Sequence, residues 1–202
     1  MTIPSQLHEP KLAVAQTQRF PVRAGLVALL SFFCVSLGTG FARAQTVSRE
    51  YHIKAVLLYN IVQFTEWPTN SVSSTNTITI GIMGTDPFGA AIDEAVRGQK
   101  KEGRALVVHR VEKIEDATNC HALFISKSES ARLPQILTAL RGRPVLTVGE
   151  TEDFAQRGGM IQFTTEKNRI RLRINVNTAQ AVSLIISSKL LRLADTENAG
   201  KD

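Results

Sequence analysis

The chain is poor in the residues that build metal clusters and disulfide scaffolds. Of its 202 residues two are cysteine, Cys34 and Cys120, and four are histidine. No Cys-x-x-Cys pair occurs, and His52, His109 and His121 share no ligand spacing on one helix or strand, so a zinc centre has no sequence support. There is no Gly-x-Ser-x-Gly elbow for a serine nucleophile, no Walker loop and no Gly-x-Gly-x-x-Gly turn. Cys120 and His121 are sequence neighbours, but neighbours on a strand point to opposite faces and cannot easily share a proton. The chain has no internal repeat and no low-complexity block. No cofactor is implied. A formal charge of +6 is too mild to mark a nucleic-acid binder.

No apolar run is long enough to cross a bilayer, which takes about 20 residues. The longest is the fourteen-residue stretch 24–37 (AGLVALLSFFCVSL). Arg19 and Arg23 precede it, and Ala42-Arg43-Ala44 follows as a small-x-small cleavage site. Positive flank, short apolar core and such a site describe a secretory signal; an uncleaved anchor is the competing reading. Residues 1–44 are therefore expected to be a signal peptide and 45–202 a single domain in the periplasm. The leader holds four basic residues and one acidic one, which leaves +3 for residues 45–202. Cys34 departs with the leader, so Cys120 has no partner for an internal disulfide. It is either a buried inert thiol or a bridge to a second molecule.

Periodicity supplies the elements. Ile53, Val56, Leu57, Ile61, Phe64 and Trp67 fall on one face of a helix over 50–67, which Pro68 ends. A polar loop follows, 69–76. Thr77 to Met83, Ala105 to Val111, His121 to Ser126 and Val145 to Val148 read as strands. Between them lie a helix with Phe88, Ala91, Ile92 and Ala95 on its inner face, stopped at Gly98, and another with Leu133, Ile136, Leu137 and Leu140, with Pro134 in its first turn. Phe154 sits in a short helical turn closed by Gly158-Gly159. Met160 to Thr165 and Ile170 to Val176 form a hairpin whose turn, 166–169, places Asn168 in a left-handed conformation. Thr178 to Ala194 reads as a long apolar helix. Strands alternating with helices argue for a parallel sheet covered on both faces. The expected fold is thus α/β: a three-layer sandwich with a mixed, mostly parallel sheet, a C-terminal antiparallel hairpin and a long C-terminal helix.

Three segments are candidates for binding. Gly84, Thr85 and Asp86 link a strand to a helix, where backbone N–H groups can hold an anion; Asp86 as a helix cap beside Pro87 is the alternative and would repel one. Arg169, Arg171 and Arg173 share one strand face while Ile170, Leu172 and Ile174 share the other. That row either guards a sheet edge or meets an acidic partner or anion. Ser187, Ser188 and Lys189 interrupt the apolar C-terminal run, as a subunit contact, a pocket wall or the solvent stripe of a core helix.

Tyr51-His52-Ile53-Lys54-Ala55, Leu58-Tyr59-Asn60 and Phe64-Thr65-Glu66-Trp67-Pro68 together resemble the opening helix of YfiR-like proteins. The resemblance continues through Ile80-Gly81-Ile82, Asp86-Pro87-Phe88-Gly89 and the run from Cys120 to Ser126. It extends through Pro144 to Gly149, Phe154-Ala155, Gly158 to Ile161, Ile174-Asn175 and Ser187 to Leu191. It implies a periplasmic regulator that represses an inner-membrane diguanylate cyclase by binding its periplasmic sensor domain. Cyclic di-GMP then falls, with effects on biofilm and motility. It also implies a homodimer and no catalytic residues. The chain departs from some members in lacking a disulfide pair and in carrying Arg173 where an acidic residue is common. Two other readings remain: a periplasmic small-molecule sensor with a crevice near Gly84 to Asp86 and Gly149, and an envelope hydrolase, for which no nucleophile or metal spacing exists.

Overall fold

The computed structural model describes residues 49–68 and 76–197. The leader, with its apolar run and cleavage motif, lies outside the described residues, as does most of the polar loop. The first helix, α1, spans 49–63. It stops short of Trp67 because Thr65–Glu66 leaves as a strand, β1. Its inner face is Ala55, Leu58, Ile61 and Val62, all fully buried, whereas Ile53 and Val56 are about half exposed at 49% and 52%. The expected face is thus rotated. Apolar residues occupy more than one stripe of α1, and packing selects the stripe that carries the small Ala55.

The elements that follow are β2 (Thr77–Met83), α2 (Ala90–Val96), β3 (Lys100–Lys101), β4 (Arg104–Val111), α3 (Ile114–Ala117) and β5 (Ala122–Ile125). Then come α4 (Leu133–Ala139), β6 (Leu146–Gly149), β7 (Ile161–Glu166), β8 (Arg169–Asn175), α5 (Val176–Gln180), β9 (Ile185–Ile186), α6 (Ser188–Leu191) and β10 (Asp195–Glu197). Among the described residues the main sheet runs β10-β8-β7-β6-β5-β2-β4-β3, and β1 pairs with β9 in a second, two-stranded sheet. Strands β4, β2, β5, β6 and β7 are parallel; β8 returns antiparallel to β7.

Strand alternation divides the interior into two cores. Ile78, Ile80, Ile82, Phe124 and Val148 face α1 and α2, while Met83, Leu123 and Ile125 face α3 and α4. This confirms the three layers. On the first face Phe88 meets Phe124 edge-on at 4.7 Å, a geometry aromatic rings favour. On the second, Phe154 is fully buried between Gly149 and Gly159, where an added Cβ would stand 2.5 Å and 2.1 Å from its ring. The hairpin turn is as expected, with Asn168 at φ 60 and Lys167 also left-handed at φ 48. That pair of positive angles matches the right-handed twist of the flanking strands.

The long C-terminal helix is not present. The segment Thr178–Ala194 is broken into α5, β9 and α6. The chain reverses at Ser183, whose φ is +60, and the Leu184 N–H returns to the Ala179 carbonyl. Ile185 and Ile186 then pair antiparallel with Glu66 and Thr65, and the Ser187 hydroxyl caps the next helix through the Lys189 N–H. An apolar run alone cannot distinguish buried helix from buried strand. Here the open edge of β1 recruits two β-branched residues that suit a strand.

Candidate functional site

The carboxyl ends of β2, β5 and β6 face the N-terminal half of α1. The turn after β2 is already saturated by the chain itself. The Thr85 N–H donates to Ser128 Oγ at 2.8 Å. Asp86 Oδ1 accepts from Phe88 N–H at 2.7 Å and Gly89 N–H at 3.2 Å. Asp86 therefore caps a turn and not the helix: α2 starts at Ala90 with Gly89 as its N-cap, so Pro87 is not its first residue. Arg110 closes the turn from β4, donating to Asp86 at 3.0 Å and in a fork to Asp93 at 2.8 and 2.7 Å. The Arg110 fork holds the Asp93 carboxyl below the usual carboxylate range. The amides of Thr85, Phe88 and Gly89 are thus engaged internally, and the Arg110 guanidinium beside them is taken up by Asp86, Asp93 and the Gly89 carbonyl.

After β6, Glu150 turns beneath α1. Lys54 Nζ donates to Glu150 Oε2 at 2.6 Å, the Tyr51 hydroxyl donates to Oε1 at 2.8 Å, and Lys54 also meets Glu50 at 2.6 Å. The side chains of Lys54 and Glu150 are each 3% exposed. Lys54 lies 4.7 Å from the Tyr51 ring centre, and Tyr51 packs edge-on against Phe88 at 5.7 Å. Burial and the bond to Glu150 raise the Tyr51 phenol well above its ordinary value. The hydrogen bond from Lys54 lowers the Glu50 carboxyl. An ammonium held between two carboxylates and a phenol held protonated form a clasp. The phenol, its proton held by Glu150, is not poised to attack.

Sequence periodicity missed this clasp because its partners stand 96 residues apart. It also missed the consequence for the opposite face of α1. With Lys54 turned inward, Ile53 and Val56 point out beside the exposed His52. A buried lysine beneath exposed aliphatics inverts the usual helix pattern.

A model of the YfiR/HmsC-like family matches residues 51–195, from Tyr51 of the clasp to the start of β10. The chain belongs to the YfiR/HmsC-like family. No curated protein matches it. The family is one of periplasmic, regulatory, non-catalytic proteins that act with membrane diguanylate cyclases, and no helix among the described residues is long and apolar enough to cross a membrane.

Within this YfiR/HmsC-like domain the remaining sequence candidates fall on separate elements. Arg169, Arg171 and Arg173 do share the outer face of β8, across from Glu166, Thr164 and Gln162 of β7. Arg173 lies 3.6 Å from Glu166. On its other side β8 pairs with β10 only at Arg173–Asn175, so Arg173 is covered, while Arg169 and Arg171 lie on a stretch that pairs with β7 alone among the described residues, where a charged row guards an edge. Ser187, Ser188 and Lys189 open α6 instead of interrupting a long helix, and the Ser187 N–H is tied to the Phe64 carbonyl at 2.9 Å. Cys120 is 2% exposed and burial pushes its thiol up to about 11, so it is an inert core residue and not a bridge between molecules. His121 is 1% exposed. Its Nδ1 accepts the Thr79 N–H at 3.1 Å, and burial pushes its pKa down to about 4. No group of three or more potential metal ligands exists among the described residues.

Proposed function

We propose that this protein is exported to the periplasm, where it binds the periplasmic sensor domain of an inner-membrane diguanylate cyclase and represses it, lowering cyclic di-GMP. Its working surface is the outer face of α1. The observation that carries this reading is the half-exposed pair Ile53 and Val56 on a helix held rigid by a clasp that touches neither residue. Partner surfaces are built from apolar contacts at the centre and polar groups at the rim, and His52 and Arg49 are exposed at such a rim. The same face serves a homodimer, so partner binding and self-association compete for it. Arg169, Arg171 and Arg173 form a second, cationic surface suited to acidic groups of the partner.

The test is a double substitution, Ile53→Glu with Val56→Glu. Both residues are exposed, so the unfolding free energy should hold within the roughly 0.5 kcal/mol typical of surface changes. Expected in cells are a rise in cyclic di-GMP to the level of a deletion strain, and loss of the cyclase from affinity capture of the tagged protein. Capture of soluble proteins alone, or full repression by the double variant, rules the reading out.

A further inference from the structure

A second site shares no residue with the clasp. A cavity of about 440 Å³ opens between α4, the start of β6, the turn before β7 and α5. Its size is within the range of pockets that enclose small ligands, roughly 300–1,000 Å³. Leu137, Leu140, Val145 and Met160 supply apolar wall, and Arg141 and Arg157 stand among the lining residues. Both arginines are exposed, and neither has an ion pair or a side-chain hydrogen bond among the described residues. None of the lining residues is acidic.

The floor adds a directional group. Thr147 lines the cavity and is 3% exposed. Its hydroxyl oxygen accepts the Met160 N–H at 3.0 Å, and its own proton has no acceptor among the described residues. A hydroxyl both accepts and donates, and a buried donor without an acceptor is costly. An acceptor atom on a ligand would satisfy it.

We infer that this cavity binds a small organic carboxylate with an apolar body: Arg141 and Arg157 take the anionic group, the leucines, Val145 and Met160 enclose the chain, and Thr147 marks the floor. Guanidinium forks match a carboxylate in shape and charge. A neutral apolar ligand would leave both forks unanswered, and a cation would be repelled. The site does not depend on the α1 surface, so it survives or fails independently of the repressor reading.

The test uses octanoate and its neutral isostere octanamide, titrated calorimetrically into the protein purified as the cell produces it. Backbone amide shifts of Gly142 and Gly158 locate the binding. Octanoate should bind saturably and shift those two amides. Octanamide should bind about tenfold more weakly or worse, as should octanoate to the Arg141→Gln/Arg157→Gln variant, since a charge-assisted hydrogen bond is worth about that factor. Because both side chains are exposed and unpaired, the variant should keep its unliganded thermal midpoint. Absence of saturable octanoate binding at millimolar concentration, equal affinity for octanamide, undiminished binding by the variant, or shifts centred elsewhere would each overturn the inference.

Discussion

Replacing Lys54 by methionine tests the clasp beneath α1. The substitution keeps much of the side chain's length and removes the charge. Glu150, whose side chain is 3% exposed, then keeps only the Tyr51 hydroxyl at 2.8 Å. Removing one partner of a buried ion pair costs about 3–5 kcal/mol, because an uncompensated charge stays in a low-dielectric interior. Domains of this size have a total stability of about 5–15 kcal/mol, so about a fifth of it or more should disappear. With a urea m-value near 2 kcal/mol/M, the midpoint should fall by about 2 M. Urea unfolding followed by tryptophan fluorescence reports this cleanly, since Trp67 is the only tryptophan and its indole N–H is bonded to the His121 carbonyl at 3.1 Å.

The second arm is Lys54→Met combined with Glu150→Leu. Replacing a buried pair by apolar side chains is often neutral, so the double variant should recover most of the loss and show strong coupling in a double-mutant cycle. Acid titration adds an independent readout. Lys54 holds the Glu50 carboxyl below its ordinary 4.5, so that contribution is present above pH 4.5 and is lost as pH falls through the lower folded value. In Lys54→Met that loss should vanish. A single variant that costs under about 1 kcal/mol, with the two substitutions additive, would show that the clasp contributes nothing beyond the ordinary worth of an exposed pair.

Three further outcomes are expected. His121 titrates at about 4 in the folded chain against 6.5 when unperturbed. Below pH 6.5 the unfolded state therefore binds the proton first, and stability should fall by about 3 kcal/mol between pH 6.5 and 4; a His121→Gln variant with the same pH profile refutes the assignment. Gly159→Ala should destabilise by about 1–3 kcal/mol through overpacking, since the new Cβ would lie 2.1 Å from the Phe154 ring, and a thermal midpoint equal to the parent's contradicts that contact. Cys120 should resist a thiol reagent such as Ellman's in the native state and react in urea, because it is 2% exposed and only the thiolate attacks; rapid native labelling would disprove its burial.

Local pattern was sufficient wherever one choice of face or turn was physically open. Thr77–Met83 alternates and is a strand with those bounds, and Asn168 takes the left-handed turn, which its short polar side chain tolerates better than most. Strands alternating with helices determined the layered architecture, and the motif blocks carried the family. Tertiary structure alone decided the rest. Nothing local links Lys54 to Glu150, so nothing local turns Ile53 and Val56 outward. Nothing in Thr178–Ala194 announces that β1 will capture Ile185 and Ile186, or that Arg141 and Arg157 will share one cavity with a buried Thr147 hydroxyl. Periodicity reports how apolar a stretch is and with what repeat; which neighbour it meets is settled by long-range packing, where burying one charge pair or completing one strand edge outweighs the small propensities of single residues.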